Sequence, residues 1–236
     1  MRHADRSLEI AELAVRQRAR GVDVGGVVGF DIAGAEAGFP ASNHKPAFDL
    51  LARELFPTTV HAGEADGLDS IRSALYDGRA IRLGHGVRLA EDITFQGEND
   101  AATLVSLGEL AQWVKDRGIA LELSVSSNMQ TGVLDDIYRL TEEDHQELTV
   151  ADHPLAVMYD LGFKVTVNTD NRLMSRTTPS LEAAALLRDT PLTLSDLAAM
   201  SAQAARHSFL DEAARARAEA AIDGFARAHG LPSSTA

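Results

Sequence analysis

Short apolar, β-branched runs alternate with amphipathic helical stretches along the chain, and each run ends on polar residues able to do chemistry. The runs cover residues 27–32, 58–61, 81–85, 119–125 and 163–167. Between them, 7–20 reads as a helix with Ile10, Leu13 and Ala14 on one face, and 44–55 as one presenting Phe48, Leu51, Ala52 and Leu55. Residues 70–77 form a short helix that Gly78 can end in the left-handed conformation. Residues 101–117 read as a longer helix carrying Leu104, Leu107, Ala111 and Val114, closed by Gly118. Pro154 suits a first helical turn, with Gly162 as the cap, and 180–229 is alanine-rich and helical until Gly230 and Pro232 end it.

Strand followed by helix followed by strand implies parallel pairing with helical crossovers, an α/β chain. Five strands are fewer than a closed eight-stranded (β/α) barrel needs and enough for an open sheet. Both architectures place their sites at the C-terminal strand ends, occupied here by Asp31, His61, His85, Ser126 with Asn128, and Asp170. Gly29 and Gly34 do not make a G-x-G-x-x-G turn, so no dinucleotide site follows the first run.

Composition narrows the chemistry. Without cysteine there can be no disulfide and no thiolate metal site, so any metal must use His, Asp or Glu. The P-C-x-x-C signature of base-flipping zinc deaminases is excluded on the same ground. A net charge of −13 disfavours a nucleic-acid backbone or an anionic membrane as partner, but admits a nucleoside, which carries no phosphate. With 45% hydrophobic residues and no linker or repeat, residues 1–236 are expected to form a single domain. There is no apolar run of spanning length, and the start Met1-Arg2-His3-Ala4-Asp5-Arg6 is too polar for a signal peptide, so the expected location is cytoplasmic.

Four motifs can carry chemistry. In His61-Ala62-Gly63-Glu64 a strand end presents a histidine, glycine permits a sharp turn, and a glutamate returns to the same mouth: a metal ligand with a general acid, or else a strand-capping His and a Glu at a helix start. Leu83-Gly84-His85-Gly86 sets a second strand-end His between glycines that let a ligand approach. In Asn168-Thr169-Asp170-Asn171 the aspartate can ligate a metal or orient water, or simply begin an Asx turn. In the stretch 29–36, Gly-Phe-Asp-Ile-Ala-Gly-Ala-Glu, Gly34 would let backbone N–H groups reach a ligand. Residues 126–132 read as a polar turn. His3, His44, His145, His153 and His207 read as surface or packing residues, Trp113 and Met200 as core, and Glu142-Glu143-Asp144 as a solvated face.

Taken in order, H-A-G-E at 61–64, L-G-H-G at 83–86, S-S-N-x-Q-T-G at 126–132 and N-T-D at 168–170 resemble adenosine deaminases of the metal-dependent amidohydrolase superfamily. The stretch 29–36 is similar to that family's G-x-D-L-A-G-x-E, and 168–175 resembles its actinobacterial branch. The resemblance implies a partial (β/α)8 barrel of the TIM type, α/β in class, in which the five strands here are the fourth to eighth and are followed by C-terminal helices. It implies that His61 and Asp170 bind one Zn2+, that Glu64 protonates the purine, that His85 orients the attacking water, and that Gly34 and Asn171 contact the base. Asn171 stands where the family often has a second aspartate, and an amide can always donate to the acceptor N7.

The family's first strand carries an H-x-H pair of zinc ligands, and none of the eight histidines here is so spaced. Met1-Arg2-His3 resembles the end of the third barrel strand, so the first three strands are expected to be missing from this sequence. Asp23-Val24-Gly25-Gly26 looks like a short insertion. The implied reaction is zinc-dependent hydrolytic deamination of adenosine or deoxyadenosine to inosine or deoxyinosine and ammonia, with a small-molecule purine nucleoside as partner. The alternatives are a non-catalytic fragment or paralogue, or an amidohydrolase acting on adenine or another aminopurine nucleoside.

Overall fold

The computed structural model describes residues 4–18, 26–96, 104–141, 143–144 and 147–232. His3, His145, Glu142, residues 23–25 and the tail from 233 lie outside them. The chain forms two compact units, Met1–Trp113 and Val114–Ala236.

In the first unit, α1 (Ser7–Gln17) packs on α2 (Lys45–Arg53). The buried face of α1 is Ser7, Ala11 and Ala14, whereas Ile10 and Leu13 are half-exposed. Small residues at helical spacing let the two helices approach closely, so the larger side chains fall outside the contact that the sequence assigned to them. Phe48 and Leu51 of α2 are buried as expected, but Leu55 is 82% exposed. Leu55 lies beyond the helix end with φ 51°, which turns it off the buried face. Arg18 closes this corner by donating to the carbonyls of Glu54 and Leu55 at 2.6 and 2.9 Å.

The parallel pair β1 (Thr59–Ala62) and β2 (Arg82–His85) is connected through α3 (Leu68–Tyr76). Residues 27–32 form no regular strand. They run beside β1 through one bridge, Phe30 to Thr58, with Thr59 N–H donating to the Phe30 carbonyl at 3.0 Å and His61 N–H to that of Ile32 at 3.3 Å. Arg79, with φ 49°, rather than Gly78, takes the left-handed conformation after α3. Gly78 instead supplies room: a Cβ there would sit 2.6 Å from the Ala74 carbonyl oxygen and 2.9 Å from Val60 Cγ2.

The expected helix over 101–117 is corrected. Residues 101–103 lie outside the described set, and β4 (Leu104–Leu107) pairs antiparallel with β3 (Ile93–Gln96) before α4 (Glu109–Arg117) begins. Gly108 marks the break. Any side chain there would collide with the Asp92 carboxylate, which accepts the Ala111 N–H at 2.8 Å in the first turn of α4. Trp113, expected in the core, is exposed.

The second unit holds β5 (Ala120–Leu123), α5 (Val125–Thr131), α6 (Val133–Tyr138), α7 (Leu155–Asp160), β6 (Lys164–Val167), α8 (Arg172–Ser175), α9 (Pro179–Asp189), α10 (Leu194–His207) and α11 (Glu212–Ala228). β5 and β6 run parallel, Ala120 beside Lys164 and Leu123 beside Val167. Leu121, Leu123, Leu155, Met158, Phe163, Val165, Leu186 and Met200 are buried around them. The stretch 126–132 is helix α5 rather than a turn: Asn128 N–H donates to the Ser124 carbonyl, and Gly132, with φ 72°, ends α5 and starts α6. Gly118, Gly162 and Gly230 adopt the left-handed conformation at the ends of α4, α7 and α11, as expected. Threonine or aspartate caps the last three helices, at Thr178, Thr193 and Asp211. Among the described residues, no helix is long and apolar enough to cross a membrane.

Candidate active site

The parallel register of the first pair sets His61 beside Gly84 and Ala62 beside His85. Both histidines thereby reach the C-terminal ends of their strands. Gly84 has a definite purpose, because a Cβ there would lie 2.8 Å from Nδ1 and 2.9 Å from Cγ of His61. The His61 ring thus lies over the backbone of β2, at a spot only glycine leaves open. Asp31 holds the same histidine twice. Its Oδ2 stands 2.7 Å from His61 Nδ1, and its Oδ1 accepts the His61 backbone N–H at 3.3 Å. A carboxylate this close to Nδ1 fixes the orientation of the ring.

His85 ends β2 with φ 62°, followed by Gly86 at φ 70°. A left-handed histidine is uncommon and costs about 1–3 kcal/mol, a kind of strain that gathers at functional sites. The residue is buried, its Nε2 lies 3.4 Å from Glu64 Oε2, and its ring centroid is 5.4 Å from that of His61. Glu64 reaches this position through Gly63, whose φ is 74° and whose Cβ would meet Ile71 Cδ1 at 2.6 Å. The first unit therefore brings together His61, Glu64 and His85, with Asp31 behind them. Gly34 forms a bend at φ 102° between Asp31 and Glu36.

In the second unit Asp170 follows β6 with φ 49°, and its Oδ2 accepts from the Ser127 hydroxyl at 2.8 Å. Asn171 N-caps α8, accepting the Met174 N–H on Oδ1 at 3.2 Å, so its amide NH2 is the end able to donate. The Asx-turn and the functional readings of this run are thus compatible. Behind Ser127 stands a buried brace. His153 Nδ1 accepts the Leu155 N–H at 3.1 Å, so Nε2 carries the proton and donates to Asn128 Oδ1 at 3.2 Å. Glu182, buried, accepts the Ser126 N–H at 3.1 Å and the Thr177 hydroxyl at 2.6 Å. His153 and the buried His44 are packing residues.

In the sequence Asp31 reads only as a rim residue, and Glu36, Ser127 and Glu182 carry no local mark of a role. Their partners lie across the fold, and only the G-x-D-x-A-G-x-E wording of 29–36 hinted at two of them. The donor set suits a divalent metal ion. His61 offers an imidazole nitrogen already oriented by a carboxylate, neighbouring groups are nitrogen and oxygen, and the chain has no thiol.

The family model described as Adenosine deaminase matches residues 1–224. The chain is 49% identical over 210 residues to adenosine deaminase 1 of Streptomyces coelicolor, covering 89% of this chain and 48% of that protein. It spans about half the length of the curated relatives it matches. Among solved structures, an adenine deaminase from Arthrobacter aurescens superposes with a TM-score of 0.73 at 21% identity, over 95% of this chain and 58% of that one. An amidohydrolase from Burkholderia ambifaria with bound Zn superposes with a TM-score of 0.70 at 22% identity, over 94% and 53%. These two likenesses are of fold, and they agree with an α/β chain that carries part of a (β/α) barrel. By the family match over nearly its whole length and its identity to curated relatives, this chain belongs to the adenosine deaminase family.

Proposed function

We propose that this chain carries the proton-transfer half of a zinc-dependent deaminase of adenosine and deoxyadenosine. The observation that carries the reading is the meeting of Glu64 with His85 Nε2 at 3.4 Å, beside a histidine already oriented by Asp31. His61 and Asp170 would hold the metal. When bound, zinc supplies a nucleophile at neutral pH by lowering the pKa of water.

Glu64 donates a proton to the purine ring nitrogen next to C6, which makes that carbon electrophilic. His85 directs the attacking water and stabilises the negative charge growing on the oxygen that joins C6. A C6–O bond forms, the C6–N bond breaks, and the products are inosine and ammonia. The Gly34 backbone N–H and the Asn171 amide would hold the base, with Asn171 donating to N7.

The test uses protein made from the complete open reading frame, loaded with zinc and offered adenosine, 2′-deoxyadenosine and adenine, with ammonia release as readout. Turnover of the two nucleosides is expected. Preference for the free base would overturn the substrate assignment.

A further inference from the structure

Glu36 is 5% exposed and bears no part in the chemistry described above. Its carboxylate gathers four donors. Oε1 accepts the Gly63 N–H at 2.5 Å and the Ser70 hydroxyl at 2.6 Å, and Oε2 accepts the N–H groups of Glu64 at 3.0 Å and Ala65 at 2.8 Å. Three successive backbone N–H groups form a concavity suited to an anion, and here the chain's own side chain fills it.

We propose that Glu36 is a positioning residue that fixes the turn 63–65, and thereby Glu64, for proton donation; this rests on the functional reading above. Four features argue for it. The three N–H groups belong to the residue named as the acid and its two neighbours, so the brace acts where a small shift matters most. Gly63 is left-handed and a Cβ there would meet the buried Ile71, so this position offers the turn no side chain of its own to anchor it. Asp31 and Glu36 lie on one short segment, so a single stretch of chain holds both His61 and the turn that carries Glu64. Among the described residues the partners of Glu36 are neutral donors, and burying a carboxylate without a countercharge is unfavourable unless such bonds offset it. A neutral acceptor would brace a loop at lower cost.

The experiment compares Glu36→Gln with Ser70→Ala in zinc-loaded protein from the complete open reading frame. The amide keeps the shape but turns one oxygen into a donor facing N–H donors, whereas Ser70→Ala removes a partner of Glu36 that lies outside the turn. Both should lower the melting temperature. Only Glu36→Gln should lower kcat per zinc-loaded, folded molecule, by about 10- to 100-fold, with KM changed little. Glu36→Asp, which keeps the charge but retracts by one methylene, should show the same kcat-specific loss and serves if the amide variant does not fold. Unchanged kcat in the Glu36 variants, or equal kcat losses in Glu36→Gln and Ser70→Ala, overturns the role. An unsubstituted enzyme that leaves adenosine untouched overturns the functional reading and this inference with it.

Discussion

At the scale of single residues, the site depends on close approaches that only particular side chains allow. Gly84→Ala would thrust a methyl into His61, whose Nδ1 is 2.8 Å from where that Cβ would stand. The expected result is lower zinc affinity together with a loss of about 1–3 kcal/mol in stability, measured by metal titration and chemical denaturation. Glu64→Gln keeps the shape and removes the acid. It should reduce kcat by about 10²- to 10⁴-fold while zinc content and melting temperature hold, checked by steady-state kinetics on metal-loaded protein. His61, Glu64 and His85 were legible in the sequence because strand ends and glycines mark them locally. The hold of Asp31 on His61 and of Glu36 on the turn was not, since each joins residues about thirty apart through a register that no local pattern encodes.

At the scale of elements, helix type and apolar face were legible in α2, whereas the alanine-rich stretch 180–229, read as helical throughout, is broken by the capped starts of α10 and α11 at Thr193 and Asp211. Local patterns misled where a strand and a helix abut. Leu104 and Leu107 share a helical face with Ala111 on paper, yet Gly108 and the Asp92 carboxylate end one element and begin the next. They misled again at 126–132, where residues typical of turns form α5 and the buried Glu182 takes up the Ser126 N–H. The start of α10 offers a test. Thr193 and Asp196 form a reciprocal capping box, with Thr193 N–H and hydroxyl each 2.7 Å from Asp196 Oδ2. Partial burial pushes the Asp196 carboxyl upward, but the bonds from the Thr193 hydroxyl and N–H, the Tyr159 hydroxyl and the Asp196 backbone N–H together outweigh it and hold the group below its ordinary value. A depressed carboxylate contributes stability above its unfolded pKa, about 3.9, and loses that contribution as pH falls through the folded value. Asp196→Ala should therefore be mildly destabilising at pH 7, by about 0.5 kcal/mol after solvent screening, with the gap from the parent narrowing below about pH 4, as denaturant titrations across pH would show.

At the scale of the whole molecule, the order of strand and crossover helix carried the fold class, and the order of four short motifs carried the family. On the function proposed above, the proton-transfer groups stand at the ends of β1 and β2 and work with a bound zinc. That function is tested most directly by measuring zinc content and adenosine deamination together, in protein from the complete open reading frame, before and after chelation. About one zinc per site is expected, with turnover lost on chelation and restored by adding zinc back. Folded, zinc-loaded protein that releases no ammonia from adenosine, or turnover that survives complete removal of the metal, would contradict that function.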